Sequence, residues 1–183
     1  LASQGMHGIA YWEVMGWHNG DWKSEGIPEL IDNLGHMHQE GLPSIGISPH
    51  APYTLESGPF VDLPDIARQL DMRLHIHLAE TPMEAGERDT TLTTYSAADW
   101  RDGQWASYKQ LRAAGRGASA IQFVDQLGSL GPDVHIAHGV WADAEDRRIL
   151  RQRGVGVALC PRSNRITVTG RDAPIREYLE EGN

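Results

Sequence analysis

Short apolar runs alternate with stretches of helical period along most of this chain. Runs of apolar and β-branched residues predict strands at 8–15, 44–48, 73–79, 133–138 and 154–160. Apolar positions spaced three and four apart predict helices at 26–40, 62–71, 119–128, 143–153 and 172–181. Strands that alternate with helices are typical of βα units around a parallel sheet. The pattern predicts an α/β fold, either a small doubly wound sheet or five-eighths of a (β/α)8 barrel.

Capping residues place the ends of several of these helices. Asp62 is predicted as an N-cap with Pro64 in the first turn, and Ser119 is a candidate cap for the third helix. Asp143 precedes the fourth helix, and Gly154 follows its last turn. Residues 81–106 break the alternation with a long polar stretch, which predicts either a lid or a plain surface insertion.

Composition narrows the classes of partner. The 183 residues are 40% hydrophobic, enough for a core, and the net charge of −9 argues against a nucleic-acid binder. No apolar run approaches the roughly 20 residues that span a bilayer, so no membrane partner is predicted. The single cysteine, Cys160, cannot form an internal disulfide, which favours a cytoplasmic protein.

Polar residues collect at the carboxyl ends of the predicted strands. The segments that follow or end strands two to five are SPHAPYT, HIHLAET, HIAHGVW and CPRSN. Three of these strands deliver a histidine at or just past their carboxyl ends. In parallel α/β folds the active site lies at that edge, so we expect a catalytic site there.

The segment RLHIHLAETP at 73–82 contains the most informative spacing. His75 and His77 alternate with apolar residues and therefore share one face of the strand, and Glu80 follows where the strand ends. Buried imidazoles need partners, and a metal ion is one, although His75 is more typical of a satisfied core residue. A carboxylate at position 80 would lie close enough to move a proton to or from an activated water.

Two further histidines are candidates for the same site. His138 lies at the end of the fourth strand, where we favour a functional role. His50 lies in a turn between Pro49 and Pro52, so the backbone fixes its direction, which suits contact with a substrate.

The four segments, in this order and spacing, resemble the amidohydrolase superfamily. They are most similar to the branch that holds S-adenosylhomocysteine and aminodeoxyfutalosine deaminases and the triazine chlorohydrolases. The resemblance covers residues from about 40 to the end and implies a (β/α)8 barrel of which this chain forms approximately strands three to seven. It also implies one divalent metal ion, zinc before iron, and a small-molecule substrate such as an amino-purine or nucleoside-like amine.

The resemblance assigns roles to individual residues. It implies that His77 is a metal ligand, that Glu80 is the general acid and base, and that His138 orients the attacking water or the substrate. It implies that His50 contacts the substrate. The pair Ser163 and Asn164 corresponds to a pair that shapes the substrate pocket.

The sequence also departs from that family. It contains neither the HxH metal ligands of the family's first strand nor the aspartate of its eighth. We therefore expect residues 1–183 to be a fragment of a single barrel domain. Alone, this fragment should bind metal weakly and show no turnover. We expect the intact enzyme to be a homo-oligomer. Chlorohydrolase chemistry and a non-catalytic barrel module remain the alternatives.

Overall fold

Five parallel strands in chain order form the centre of the molecule. The computed structural model describes residues 7–37, 44–85, 119–167 and 169–183. Within them the strands are β1 Ile9–Val14, β2 Ser44–Pro49, β3 Leu74–Leu78, β4 Val134–His138 and β5 Gly156–Ala158. Each strand pairs in parallel with the next, so the order is β1-β2-β3-β4-β5. A doubly wound sheet would reverse its strand order at a switch point. The unbroken order is that of a (β/α)8 barrel segment.

Helices connect the strands. A short turn at Asn19–Asp21 and a π-helical stretch at Trp22–Gly26 lead into α1 Ile27–Met37. The other helices are α2 Ser57–Gln69, α3 Ala120–Gln126, α4 Ala144–Arg153, α5 Pro161–Ile166 and α6 Ile175–Glu181. Among the described residues, no helix has the length and apolarity that crossing a membrane would need.

The two faces of β3 differ in the way the sequence predicts. Leu74, Ile76 and Leu78 are fully buried and belong to the core, which α2 and α3 help to build. His75 and His77 lie on the other face and are half-buried. One face of the strand therefore packs against helices, and the opposite face presents imidazoles.

The second predicted helix begins earlier than its sequence pattern indicated. It starts at Ser57 instead of position 62, so Asp62 is not its N-cap and Pro64 lies in its interior. The Asp62 side chain instead accepts a hydrogen bond from Trp22 Nε1 at 3.0 Å. Proline cannot donate to the carbonyl four residues earlier, and here Phe60 O accepts from Ser129 Oγ at 2.5 Å. A tertiary contact thus replaces the bond that Pro64 removes.

The fifth predicted strand is shorter than its apolar run. It spans Gly156–Ala158 only, and Pro161 then opens α5, so the CPRSN segment is largely helical. Of the polar stretch at 81–106, the structure describes the first five residues, in which Pro82–Ala85 form one 3-10 turn. The remainder of the proposed lid or insertion lies outside the described residues.

Candidate active site

Four predicted site residues meet at the carboxyl edge of the sheet. The ring centroids of His50 and His77 are 4.7 Å apart, and those of His77 and His138 are 5.4 Å apart. Glu80 Oε1 lies 3.7 Å from His138 Nε2, and both side chains are buried. Three strand ends therefore bring three imidazoles and one carboxyl group together.

The partners of two imidazoles indicate which ring nitrogen holds the proton. His77 Nδ1 lies 3.2 Å from the backbone oxygen of His50. His138 Nδ1 lies 2.8 Å from Asn164 Oδ1. Carbonyl and carboxamide oxygens only accept hydrogen bonds, so we infer that both Nδ1 atoms donate. Each neutral ring then has its lone pair on Nε2.

The contacts of Thr54 indicate the same tautomer for His50. Its Nδ1 lies 2.8 Å from Thr54 Oγ1, and the Thr54 hydroxyl donates to Ala51 O at 3.1 Å. Because that hydroxyl proton is committed to Ala51, the His50 ring must be the donor to Thr54. The three imidazoles therefore share one arrangement, in which Nδ1 is anchored and Nε2 is the acceptor atom.

The environment favours the neutral form of His50 and His77. Burial lowers the pKa of His50 to about 4, and the neighbouring His77 and His138 rings act in the same direction. Burial also lowers the pKa of His77, followed by the effect of His138, while Glu13 and Glu80 oppose the shift. Neutral imidazoles whose second nitrogen is hydrogen-bonded to a fixed acceptor are the usual form of metal-ligating histidine.

A carboxylate on the first strand completes a group that could hold a cation. Glu13, His50 and His77 each offer a ligand atom, and these atoms all lie within 4.8 Å of one another. Imidazole and carboxylate ligands suit zinc and non-haem iron. The described residues thus fit a divalent metal. Sequence reasoning missed Glu13, although its position near the carboxyl end of β1 was the available signal.

Glu80 is held by a residue that the sequence interpretation did not single out. Tyr53, in the SPHAPYT segment, donates its hydroxyl to Glu80 Oε2 at 3.0 Å. Its ring also meets His50 edge-on at 5.8 Å. Glu80 Oε2 is thereby engaged, while Oε1 faces His138. Glu84, which lies in the polar stretch assigned to a loop, was also missed, and it contacts the backbone around Glu80.

The Ser163 and Asn164 pair divides between two environments. Asn164 is buried and orients His138. Ser163 is exposed on α5, and its backbone oxygen accepts bonds from Thr167 N and Oγ1. The structure therefore brings Asn164 to the histidine cluster and shows no such contact for Ser163.

Comparison with known proteins identifies the family. Residues 3–183 match the model of the amidohydrolase family, and the chain belongs to that family. A 5'-deoxyadenosine deaminase from Methanothrix thermoacetophila is 30% identical over 162 residues, which are 88% of this chain and 33% of the relative. A 5-methylthioadenosine/S-adenosylhomocysteine deaminase from Aquifex aeolicus is 29% identical over 136 residues, 74% of this chain and 26% of the relative. The chain thus spans about a third or less of the length of these relatives.

Solved structures share the fold at lower identity. A zinc complex of atrazine chlorohydrolase from Arthrobacter aurescens superposes with a TM-score of 0.69 at 21% identity, over 98% of this chain and 37% of that one. A zinc-bound adenosine deaminase from Xanthomonas campestris gives a TM-score of 0.66 at 21% identity, over 93% of this chain and 34% of that one. The fold predicted from the sequence, an α/β segment of a (β/α)8 barrel, is confirmed.

Proposed function

We propose that this chain is part of a metal-dependent hydrolase barrel domain that deaminates an amino-purine or nucleoside-like substrate with water. The observation that carries the proposal is the convergence of Glu80, His77, His138 and His50 at one edge of the sheet. The two sequence relatives described above are named as deaminases of adenosine-like compounds, and these names support the substrate class. Substrate and leaving group are our inference for the whole protein.

His77 is the proposed metal ligand from this chain. Zinc is the first candidate, because zinc is bound in two structures that share the fold, and iron is the alternative. When bound, the ion would supply Lewis-acid activation of the attacking water. Glu13 is close enough to add a second ligand from within the chain, and His50 could serve as a ligand only in place of its proposed contact with the substrate.

Glu80 is the proposed proton carrier. The water oxygen forms a bond to the carbon that bears the amino group, the carbon–nitrogen bond breaks, and the nitrogen leaves as ammonia. Glu80 takes a proton from the water and delivers it to the departing nitrogen. Tyr53 holds Oε2, so Oε1 is the oxygen aligned for this transfer on the His138 side.

The remaining residues orient the reactants. His138 would accept a hydrogen bond at Nε2 from the water or the substrate, because Asn164 fixes its Nδ1 proton. His50 would accept at Nε2 from a substrate N–H or O–H group. Ser163 would contribute to the shape of the pocket rim. We further propose a cytoplasmic homo-oligomer with no nucleic-acid or membrane partner.

Chlorohydrolysis is the second candidate, and the likeness to atrazine chlorohydrolase favours it. Chloride leaves without a proton, whereas an amine must be protonated to leave. Glu80, buried and aligned beside His138, supplies that proton, so the site favours the deaminase. A non-catalytic barrel module would need none of these contacts.

The test measures product release from the complete barrel protein. With zinc supplied, 5'-deoxyadenosine and 5'-methylthioadenosine should release ammonia, and atrazine should release no chloride. Glu80→Gln should retain bound metal and lose about 10²- to 10⁴-fold in kcat, the usual contribution of a general acid or base.

The control is Glu29→Gln, which alters an exposed carboxylate in the first turn of α1 and should leave kcat unchanged. Chloride release from atrazine without ammonia release from the nucleosides would establish the second candidate instead. Undiminished turnover by Glu80→Gln would remove Glu80 from the mechanism.

A further inference from the structure

Glu84 lies under the turn that presents Glu80. Its carboxyl group is fully buried, in the 3-10 turn Pro82–Ala85 that follows β3. Its Oε1 accepts from Ala79 N at 3.0 Å, and its Oε2 accepts from Glu80 N and Thr81 N at 2.9 Å each. Three consecutive N–H groups that point at one carboxylate form an anion-binding nest closed by a side chain of the same chain.

The backbone inside this turn is strained. Ala79 has φ +54°, in the left-handed region, which costs about 1–2 kcal/mol for a residue with a Cβ. Its carbonyl is fixed by the turn that follows β4, because Trp141 N donates to Ala79 O at 2.8 Å. Its N–H points to Glu84. The strained residue immediately before Glu80 is therefore clamped on both sides, which a surface loop would not require.

Burying a carboxyl group needs compensation of this kind. Burial raises the pKa of Glu84 to about 8, the backbone N–H bonds oppose that shift, and the nearby Glu80 carboxyl reinforces it. Placing a second carboxyl group beneath a proposed proton carrier is unfavourable for both groups. The three backbone bonds are the contacts that offset this.

We propose that Glu84 is a positioning residue for Glu80, which it aims at His138 by fixing the backbone of residues 79–81. Glu84 touches neither substrate nor metal in this inference, which rests on the proposed function. It acts through the turn alone. A displacement of the acting carboxyl group by about 1 Å is enough to lower catalysis about 100-fold.

The test substitutes Glu84→Gln, which keeps the size of the side chain. One of its two terminal atoms becomes an NH₂ group, which cannot accept from a backbone N–H. We expect kcat of the complete protein to fall about 10- to 100-fold with KM changed less than threefold and metal content unchanged. Amide hydrogen exchange at residues 79–81 should become faster.

The control for general destabilisation is Ser119→Ala, which removes a cap on α3. At a comparable loss of Tm it should leave kcat and the exchange of residues 79–81 unchanged. If Glu84→Gln does not fold, Glu84→Asp takes its place, since it retains the carboxyl group but reaches less far. Native kcat in the folded variant, or unchanged exchange at 79–81, overturns the inference. Absence of turnover in the unsubstituted protein would instead contradict the proposed function, and the exchange measurement still decides whether Glu84 holds the turn.

Discussion

At the scale of single residues, the chemistry of the site depends on which nitrogen of each imidazole is protonated. Backbone or side-chain oxygens anchor Nδ1 of His50, His77 and His138, so three Nε2 lone pairs belong to one cluster. His138 reaches this arrangement at φ +76°, another left-handed residue in the site. Strain of this kind persists where surrounding contacts over-determine the structure, and here Gly139 N donates to Leu78 O at 3.0 Å beside the strained residue, while Asn164 holds its ring.

Asn164→Ala should release His138 from its fixed tautomer. Without Oδ1 the ring can exchange its proton between Nδ1 and Nε2 and rotate, so kcat of the complete protein should fall about 10- to 100-fold. Long-range ¹H–¹⁵N correlation spectra should show both ring nitrogens of His138 moving towards averaged shifts. Asn33→Ala on α1 serves as the control. A His138 spectrum that is unchanged in Asn164→Ala would show that other contacts fix the tautomer.

The sequence indicated some of these residues and not others for a physical reason. His77 and Glu80 follow from local spacing, because strand alternation and chain direction fix their face and edge. Glu13 and Tyr53 join the site through contacts between neighbouring strand ends. Glu84 joins the site through a turn. The spacing of apolar residues does not predict in which direction the backbone N–H groups of a turn point. The roles of the predicted residues stay predictions.

At the scale of elements, helix ends were the most predictable feature wherever capping was local. Asp143 caps α4 in a reciprocal capping box with Asp146, and Gly154 ends that helix at φ +71°. Ser119 caps α3 through Gln122 N. The predicted start of α2 was wrong because Pro64 resembles a first-turn proline. Its interior position is tolerated because Ser129, far along the chain, bonds to the carbonyl that Pro64 leaves without a backbone donor.

Ser119→Ala should destabilise the protein more than an ordinary cap removal. Ser119 Oγ accepts from Gln122 N and also donates to the buried Asp146 Oδ1, so it joins the first turns of α3 and α4. The lost cap costs about 1 kcal/mol, and Asp146 Oδ1, left with only the longer bond from Gln122 Nε2 at 3.4 Å, adds up to about 1–2 kcal/mol. Urea unfolding should show a lower midpoint with an unchanged m-value.

Ser24→Ala provides the comparison for that measurement, because Ser24 is exposed and its hydroxyl bonds only to a nearby backbone oxygen among the contacts described. It should change the free energy of unfolding by less than about 0.5 kcal/mol. Equal effects of the two substitutions would mean that the hydrogen bond between Ser119 and Asp146 stabilises the protein no more than the bond of an exposed hydroxyl does.

At the scale of the whole molecule, the alternation of strands and helices predicted a parallel sheet with right-handed connections but left two strand orders open. The resemblance to the amidohydrolase superfamily selected the order of a barrel. The extent of β5 was not predictable, since the apolar run 154–160 includes residues that lead into α5. Within the described residues β1 and β5 each pair on one side only. An unpaired parallel edge is a template for self-association. That further strands complete the barrel stays a prediction.

The histidine face should make the folded state of the metal-free protein sensitive to acid. Burial lowers the pKa of both His50 and His75 to about 4, and neighbouring imidazoles add to each shift. The unfolded chain takes up these protons near pH 6.5, whereas the folded chain resists them until about pH 4. Stability from these groups is therefore present above pH 6.5 and is lost as pH falls between 6.5 and 4, by on the order of 2–3 kcal/mol in total after allowance for solvent screening.

Buried carboxyl groups act in the opposite direction and must be separated from this effect. Burial raises the pKa of Glu84 and of Asp146, so the folded state keeps these protons to higher pH and gains stability as pH falls. The free energy of unfolding is measured against pH in the presence of EDTA. The difference in slope between a histidine variant and the unsubstituted protein gives the contribution of that histidine. His75→Gln should flatten the loss between pH 6.5 and 4, and His36→Gln, which alters an exposed histidine of α1, should leave the slope as it is. Parallel curves for the unsubstituted protein and His75→Gln would contradict the assignment of acid sensitivity to the imidazoles that face the site.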